Sequence, residues 1–295
     1  MCSSGKKTKK LLSPAKVNLL LKVLRRREDG YHDILSVIQP ITLYDELSIE
    51  LDDGEGITVE TDHPLLPTDN RNLAFRAADV FLKKTGIKAK VRIGIKKVIP
   101  VSAGLGGGSS DAAITLIGLN ELLKAGLSKR ELMNIGLSLG SDVPFFISGR
   151  SAIVTGKGEG VEGIDLPRFW YLLINPGLPV SSGWAYQNLD LTKRGEDISI
   201  TLLEDLLKNP LAVEGLLIND LEEVVARQHP EVNEIKTALL EAGAEGALMS
   251  GSGPTVFGIF FKESRAVEAV RLLKERFKDR GWGFFVAQGV NTVMS

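Results

Sequence analysis

The chain has 295 residues, and its 43% hydrophobic and 25% charged residues are ordinary for a soluble globular protein. Its 36 basic and 37 acidic residues nearly cancel, which argues against recruitment by nucleic acid or an anionic membrane. Cys2 is the only cysteine, which excludes an intrachain disulfide and a cysteine-based metal cluster and suits a reducing compartment. No signal or transit sequence and no long apolar run is recognisable, so we expect a cytoplasmic protein.

The first part of the chain alternates strand and helix patterns. Apolar alternation predicts strands at 10–24 (interrupted by Ser13-Pro14), 34–41, 45–51 and 57–61, with a charged turn that ends at Asp29-Gly30. An amphipathic helix is predicted over 72–85, because Asn70 or Asn72 can cap its start and Gly86 can end it.

A glycine-rich loop stands between the strand predicted at 91–98 and the next helix. Gly104, Gly106, Gly107 and Gly108 are followed by Ser109, Ser110 and Asp111, and a helix is predicted to begin near Ser110. A strand, a glycine loop and a helix N-terminus together present free backbone N–H groups to an anion. The loop lacks the Gly-Lys-Ser/Thr of a P-loop and the third glycine of a dinucleotide fingerprint. It is therefore predicted to be a phosphate-binding loop, although a helix-capping turn is the structural alternative.

The remaining elements complete the first unit and suggest a second one. A capping box of Ser128 and Glu131 predicts a helix over 128–139, and strands are predicted at 151–154, 169–174, 246–249, 255–261 and 283–290. Further helices are predicted at 181–188, 200–208, 211–228, 230–242 and 263–278. The mixture of antiparallel strands and helices favours two α+β domains, at 1–157 and 158–295.

Three further stretches could carry chemistry. Lys16 interrupts an apolar strand and, by alternation alone, would face solvent. Asp142 lies in an apolar segment, where it is either a capping residue or a functional carboxylate, since a buried charge needs a partner. The small-residue loop at 250–254 is, in its simplest interpretation, a turn.

Taken in order, three segments resemble the sequence motifs of the GHMP kinase family. These segments are Ser13 to Asn18, Pro100 to Asp111 and Gly251 to Pro254. Two more segments, at 27–32 and 139–146, resemble markers of the family branch that acts on a cytidine-bearing acceptor. The resemblance covers essentially the whole chain.

The resemblance implies a two-domain α+β GHMP kinase fold, with ATP and acceptor in the cleft between the domains. It implies transfer of the γ-phosphoryl group of ATP to the 2-hydroxyl of 4-diphosphocytidyl-2-C-methyl-D-erythritol, in isoprenoid precursor biosynthesis. Asp142 would be the base that accepts the hydroxyl proton, and Lys16 would keep Asp142 ionised and stabilise the developing charge.

The resemblance also implies binding roles. Asn72 and Lys97 would lie near the adenine of ATP, and Mg²⁺ would be held largely by phosphates and water, with no identified protein ligand. The phosphates would be bound by the central loop, through Pro100, Val101, Ser102, Ala103, Gly104, Leu105, Gly106, Gly107, Gly108, Ser109 and Ser110.

The acceptor has its own set of implied residues. Tyr31 and Tyr186 would stack on the two faces of the cytidine base, His32 would hydrogen-bond its edge, and Asn18 would lie beside the methylerythritol hydroxyls. The alternative for Tyr31 and His32 is a surface hairpin with two polar aromatic residues.

Two other functions stay open on these grounds. One is another GHMP small-molecule kinase, and the other is a non-catalytic GHMP-fold metabolite sensor. The presence of both Lys16 and Asp142 argues against the sensor. We expect a small-molecule substrate, no nucleic-acid or membrane partner, and a monomer or weak homodimer.

Overall fold

The computed structural model describes residues 7–193 and 215–293. Cys2, the predicted helix at 200–208 and the first residues of the predicted helix at 211–228 lie outside this part. Among the described helices, none has the length and apolar character needed to cross a bilayer.

Strands and helices alternate along the described chain. The strands are β1 (Lys7–Arg26), β2 (His32–Asp52), β3 (Gly56–Thr61), β4 (Lys90–Lys96), β5 (Ala152–Gly156), β6 (Gly160–Gly163), β7 (Trp170–Asn175), β8 (Ile218–Asn219), β9 (Gly246–Met249), β10 (Val256–Phe260) and β11 (Gly283–Gln288). The helices are α1 (Leu73–Thr85), α2 (Gly107–Leu122), α3 (Lys129–Leu137), α4 (Val143–Ser148), α5 (Ser182–Gln187), α6 (Glu222–Gln228), α7 (Glu231–Glu241) and α8 (Glu263–Arg276).

Two sheets organise the fold. The first has the order β3-β4-β2-β1-β8, with β5 paired to β2 and β6 paired to β5. The second is antiparallel with the order β11-β7-β10-β9. The described residues thus form a two-sheet α+β architecture, as expected. The division at residue 157 stays a prediction, and β6 and β8 beyond it pair within the first sheet.

Three apolar cores hold the layers together. One lies between the first sheet and helices α1 to α4 and includes Phe81 and Phe145. A second joins the two sheets and includes Val17 of β1 and Phe257 of β10. The third lies between the second sheet and helices α6 to α8. Because side chains on both faces of β1 are buried, this strand runs through the centre of the molecule.

Local sequence signals fixed several helix ends correctly. The Asn72 side chain accepts a hydrogen bond from the amide of Ala74 at the start of α1, and Gly86 ends that helix with a φ of 69°. The predicted capping box of Ser128 and Glu131 is present at α3. Both motifs act within a few residues of chain, which is why the sequence alone predicts them.

Other predicted boundaries were wrong. The strand predicted to break at Ser13-Pro14 is continuous, with a register shift after Pro14. The strands predicted at 34–41 and 45–51 form the single strand β2, and α2 begins at Gly107 rather than near Ser110. Among the described residues of the predicted helix at 211–228, Ile218 and Asn219 pair with β1, and the α-helix that follows them begins at Glu222.

Candidate active site

A cleft of about 990 Å³ opens between the halves of the fold. It is lined by Lys16, Asn18, Tyr31, His32, Asn72, Lys97, Asp142 and Tyr186, and by all predicted loop residues from Pro100 to Ser109 except Leu105. Leu105 and Ser110 are instead buried beneath the loop. The fold thus gathers residues that are widely separated in sequence around one cleft.

The glycine loop leads directly into the N-terminus of α2. Gly106 occupies the N-cap position with a φ of 70°, and Gly107, Gly108 and Ser109 form the first turn facing the cleft. The first amides of a helix lack intrahelical partners, and they form the positive end of the helix dipole. The loop therefore has the free amides that an anionic group requires, and phosphate binding here stays a prediction.

The loop at 250–254 is more than a turn, because it packs on the glycine loop. A Cβ added at Gly104 would lie 2.0 Å from the carbonyl oxygen of Ser250, so only glycine allows this approach. The Ser250 hydroxyl donates a hydrogen bond of 3.0 Å to the Gly104 carbonyl. These contacts tie the second half of the chain to the anion-binding loop.

Lys16 lies at the bottom of the cleft and is only 3% exposed. The solvent-facing position suggested by strand alternation is therefore wrong, because the β1 face that carries Lys16 is covered by the glycine loop and α4. Its ammonium nitrogen lies 3.8 Å from Asp142 Oδ2, donates to the Gly104 carbonyl at 2.8 Å and also donates to Asn18 Oδ1. Burial lowers the pKa of Lys16, and the Asp142 charge partly opposes this shift.

Asp142 immediately precedes α4, in the N-cap position. Its side chain makes no capping hydrogen bond, so the structural alternative of a capping aspartate is not supported. The carboxylate is 37% exposed and lines the cleft beside Lys16. The fold thus presents the Asp142 carboxylate to the cleft, next to a buried ammonium.

The Asn18 amide is fixed on both sides. Its Oδ1 accepts from Lys16, and its Nδ2 donates to the Ser36 hydroxyl at 2.9 Å. The Ser36 hydroxyl in turn donates to the carbonyl of Leu20 at 2.5 Å. This chain of hydrogen bonds orients Asn18 next to Lys16 before any ligand is bound.

Aromatic side chains form a separate group in the lining of the cleft. The rings of His32 and Tyr186 stack with centroids 5.2 Å apart, and Tyr31 beside them is 54% exposed. The ammonium of Lys157 lies 4.8 Å from the centre of the Tyr31 ring. Burial and the nearby Arg26 lower the pKa of His32, so its imidazole is neutral at pH 7 and offers one donor and one acceptor.

Asn72 and Lys97 lie near the start of α2. The Asn72 amide caps α1 and donates to the Pro67 carbonyl at 2.8 Å. The Lys97 ammonium is paired with Asp45 and lies 3.1 Å from Asp111 Oδ2. All three charged side chains of this cluster are at most 3% exposed.

The buried cluster leaves one carboxylate poorly compensated. Asp45 accepts hydrogen bonds from the amides of Val98 and Ile99, whereas Asp111 Oδ1 is buried without a hydrogen-bond partner. Burial raises the pKa of Asp111 to about 6, with Lys97 opposing the shift and Asp45 adding to it. Sequence reasoning missed this cluster. A sequence signal for this cluster was Asp45, an acidic residue at the start of the strand predicted at 45–51.

Sequence reasoning also missed the segment at 218–222. The Asn219 side chain donates to the carbonyls of Met249 and Gly251 at 2.8 and 2.7 Å, which supports the 250–254 loop from behind. No local pattern reveals these contacts, because the short parallel strand β8 lies within the stretch at 211–228 that the sequence predicts to be helical.

Two family profiles match the chain. The profile described as "GHMP kinases N terminal domain" matches residues 72–150, and the one described as "GHMP kinases C terminal" matches residues 199–279. The first contains the glycine loop and Asp142, and the second contains the loop at 250–254.

Several named proteins are similar over nearly the whole chain. The 4-diphosphocytidyl-2-C-methyl-D-erythritol kinase of Geobacter sulfurreducens is 48% identical, over 90% of this chain and 95% of its own. The protein of the same name from Syntrophotalea carbinolica is 46% identical, over 95% of this chain and 98% of its own.

Solved structures give the same result for the fold. A crystal structure of 4-(cytidine 5'-diphospho)-2C-methyl-D-erythritol kinase has a TM-score of 0.79 and 34% identity, covering 96% of this chain and all (100%) of that one. A homoserine kinase from Cytophaga hutchinsonii, with a TM-score of 0.73 and 20% identity over 99% of this chain and 97% of its own, shares the fold.

Proposed function

This chain belongs to the GHMP kinase family, and we propose that it is the family member that phosphorylates 4-diphosphocytidyl-2-C-methyl-D-erythritol. It transfers the γ-phosphoryl group of ATP to the 2-hydroxyl of this acceptor, in isoprenoid precursor biosynthesis. One observation carries the chemistry: Lys16 Nζ lies 3.8 Å from Asp142 Oδ2 at the end of an anion-binding glycine loop. The acceptor is assigned from the named relatives and from the aromatic end of the cleft.

The reaction needs one proton transfer and one phosphoryl transfer. Asp142 accepts the proton of the acceptor hydroxyl while the oxygen forms a bond to the γ-phosphorus. The bond from that phosphorus to the bridging oxygen of ATP breaks, and ADP leaves. Because such transfers depend mostly on positioning and charge stabilisation, one base and fixed cations and amides are sufficient.

Lys16 supplies the fixed cation in this mechanism. Its ammonium is held by the Gly104 carbonyl and Asn18, so it does not have to reorganise as negative charge develops on the transferred group. The same ammonium lies 3.8 Å from the Asp142 carboxylate, so the base and the cation face the same point of the cleft. The Asn18 amide is held by Lys16 and Ser36, and we place it beside the acceptor hydroxyls.

The ATP phosphates are proposed to bind the loop at 100–110 through the first amides of α2 and the Ser109 hydroxyl. Asn72 and Lys97 contribute to the adenine end, where Lys97 lines the cleft while its ammonium is held by acidic partners. Ser110 supports the loop from beneath, since its hydroxyl accepts from Ser13 at 2.7 Å.

Mg²⁺ is proposed to enter with ATP, where it would neutralise phosphate charge. Among the described residues there is no group of three or more His, Cys, Asp or Glu side chains that could hold a metal ion. An ion that enters with ATP would keep most of its ligands from phosphate and water. We also propose, from the charge balance and the single cysteine, a cytoplasmic protein without a nucleic-acid partner.

The cytidine group is proposed to bind between Tyr31 and the stacked pair of His32 and Tyr186. An exposed tyrosine ring offers a stacking face, and a neutral imidazole can match the donor and acceptor edge of cytosine. This arrangement would favour the cytidine-bearing acceptor over mevalonate, homoserine or galactose.

The test is ADP release from ATP and Mg²⁺ with a panel of acceptors. The panel contains the diphosphocytidyl methylerythritol, methylerythritol phosphate without cytidine, mevalonate, homoserine and galactose. We expect turnover with the first compound alone. Turnover with another acceptor would replace the assigned substrate, and ATP binding without any turnover would favour a sensor.

Asp142→Asn tests the base within the same assay. General-base catalysis is worth roughly 10²- to 10⁴-fold, so we expect kcat to fall by about that factor. Asp165→Asn is the matched control, because its side chain is 80% exposed and pairs with Arg150 at the surface. Near-normal kcat for Asp142→Asn would show that another group accepts the proton.

A further inference from the structure

The side chain of Asn219 makes three hydrogen bonds, all of them to backbone groups. Its Nδ2 donates to the carbonyls of Met249 and Gly251 at 2.8 and 2.7 Å, and its Oδ1 accepts from the amide of Leu221 at 2.9 Å. The residue is 8% exposed and is not among the described residues that line the cleft. Asn219 therefore lies behind the wall of the cleft and acts on the site through the backbone groups that it binds.

The carbonyls held by Asn219 flank the part of the chain that contacts Lys16. A Cβ added at Gly251 would lie 3.0 Å from Lys16 Nζ and 3.2 Å from Asn18 Oδ1. Between the two carbonyls, the Ser250 hydroxyl donates to Gly104, the same carbonyl that accepts from Lys16. A shift of this loop would therefore move the groups that hold the Lys16 ammonium in position.

Asn219 is itself anchored on the strand that carries Lys16. It pairs in register with Leu21 of β1, and the amide of Asp220 donates to the Leu21 carbonyl at 2.9 Å. The Asp220 carboxylate also accepts from the amide of Val23 at 2.8 Å. The segment at 218–220 therefore connects β1 to the loop that closes over Lys16.

We infer that Asn219 is a positioning residue for phosphoryl transfer: it fixes the loop at 249–251 against Lys16 and Asn18. The inference rests on the proposed function, since Lys16 is taken there as the cation that stabilises developing charge. Because Asn219 acts on the reacting centre and not on the ends of the cleft that hold adenine and cytidine, its loss should affect kcat more than either KM.

The experiment compares Asn219→Ala and Asn219→Asp with the wild type. Both variants lose the two donors to the carbonyls, and the aspartate keeps the shape and an acceptor for Leu221. We expect kcat to fall by about 10- to 100-fold, because small displacements of catalytic groups have effects of this size. Here kcat is calculated per active site, and the active sites are counted by titration with ATP. Both KM values should stay within about threefold of the wild type.

Asn175→Ala is the matched control. Asn175 is also 8% exposed, donates to the Thr255 hydroxyl at 2.8 Å and accepts from the amide of Gly177, but it does not hold the carbonyls near Lys16. We expect its kcat to stay within about threefold of the wild type, even if its melting temperature falls as much as that of Asn219→Ala.

Each outcome is decisive for the positioning role. Equal losses of kcat at Asn219 and Asn175, or unchanged kcat in folded Asn219→Asp, would overturn it. Failure of both Asn219 variants to fold would also overturn it, because the residue would then be a determinant of the fold. Turnover by the wild type in the same assay tests the proposed function separately, whatever the variants do.

Discussion

Gly158 packs against the backbone of Ser141, the residue that precedes Asp142. A Cβ added at Gly158 would lie 2.2 Å from the Ser141 carbonyl oxygen, and Gly158 has a φ of 121°. The turn that carries Lys157 is therefore in direct contact with the segment that positions the Asp142 carboxylate.

Gly158→Ala is expected to displace Asp142. The added methyl group cannot fit against a backbone carbonyl, so the turn or the segment at 141–142 must move. We expect a loss of about 1–3 kcal/mol in the free energy of unfolding and a fall of about tenfold or more in kcat. Steady-state kinetics and urea unfolding of the same preparation measure both effects.

Gly126→Ala serves as the control for this prediction. Gly126 also has a positive φ of 70°, but a Cβ there would meet nothing within 4 Å. Gly126→Ala should therefore lower the free energy of unfolding through backbone strain but keep the wild-type kcat. Equal kcat for the two alanine variants would mean that contact with Ser141 does not matter for Asp142.

Tyr31→Ala is expected to weaken binding of the acceptor but not of ATP. Stacking on an aromatic ring is worth about 1–3 kcal/mol per base, so KM for the cytidine substrate should rise by roughly 5- to 150-fold. KM for ATP should stay within experimental error, because Tyr31 lies at the opposite end of the cleft from Asn72.

Tyr31→Phe separates stacking from hydrogen bonding. Phenylalanine keeps the ring face, so KM for the cytidine substrate should return close to the wild-type value. Unchanged KM in Tyr31→Ala would exclude stacking on this ring. A raised KM in both variants would instead point to the hydroxyl group.

The rate should fall at alkaline pH as Lys16 loses its proton. Burial lowers the pKa of Lys16, so its ammonium becomes neutral below the ordinary lysine value of 10.5. The alkaline limb of the kcat profile should therefore lie below pH 10.5. In Lys16→Arg the guanidinium stays charged at such pH values, and this limb should disappear from whatever activity remains. An alkaline limb unchanged in Lys16→Arg would assign it to another group.

Asp111 should make the stability of the protein depend on pH. Its pKa in the folded protein is about 6, against about 3.9 in the unfolded chain. In the window between these values the native state binds more protons, so the free energy of unfolding falls as pH rises. This contribution is fully present below about pH 4 and is lost above about pH 6, and it is worth at most about 3 kcal/mol.

Urea unfolding of the wild type and Asp111→Asn at several pH values tests this contribution. The asparagine does not titrate, so the wild type should lose stability relative to the variant between about pH 4 and 6. A constant difference across this range would contradict the pKa.

Lys97→Met should destabilise by about 3–5 kcal/mol at neutral pH, because it leaves two buried carboxylates unpaired.

The sequence by itself determined the features that arise within a few residues of chain. Asn72 and Gly86 bound α1, Ser128 and Glu131 form the capping box of α3, and the glycine loop leads into α2. Each of these depends on backbone N–H groups at a helix end and on side chains close by, so local spacing is sufficient. The family motifs added the expectation that distant segments meet.

The tertiary structure decided which side of each strand is buried and which charges are paired. Strand alternation placed Lys16 in solvent, but β1 lies between helices and a second sheet, so both of its faces are covered. The pairing of Lys97 with Asp45 and Asp111 joins residues 52 and 14 positions apart. Asn219 meets Gly251 across 32 positions. Such contacts form only when the layers pack, and no local pattern encodes them, because their partners are brought together by the burial of apolar surface elsewhere in the chain.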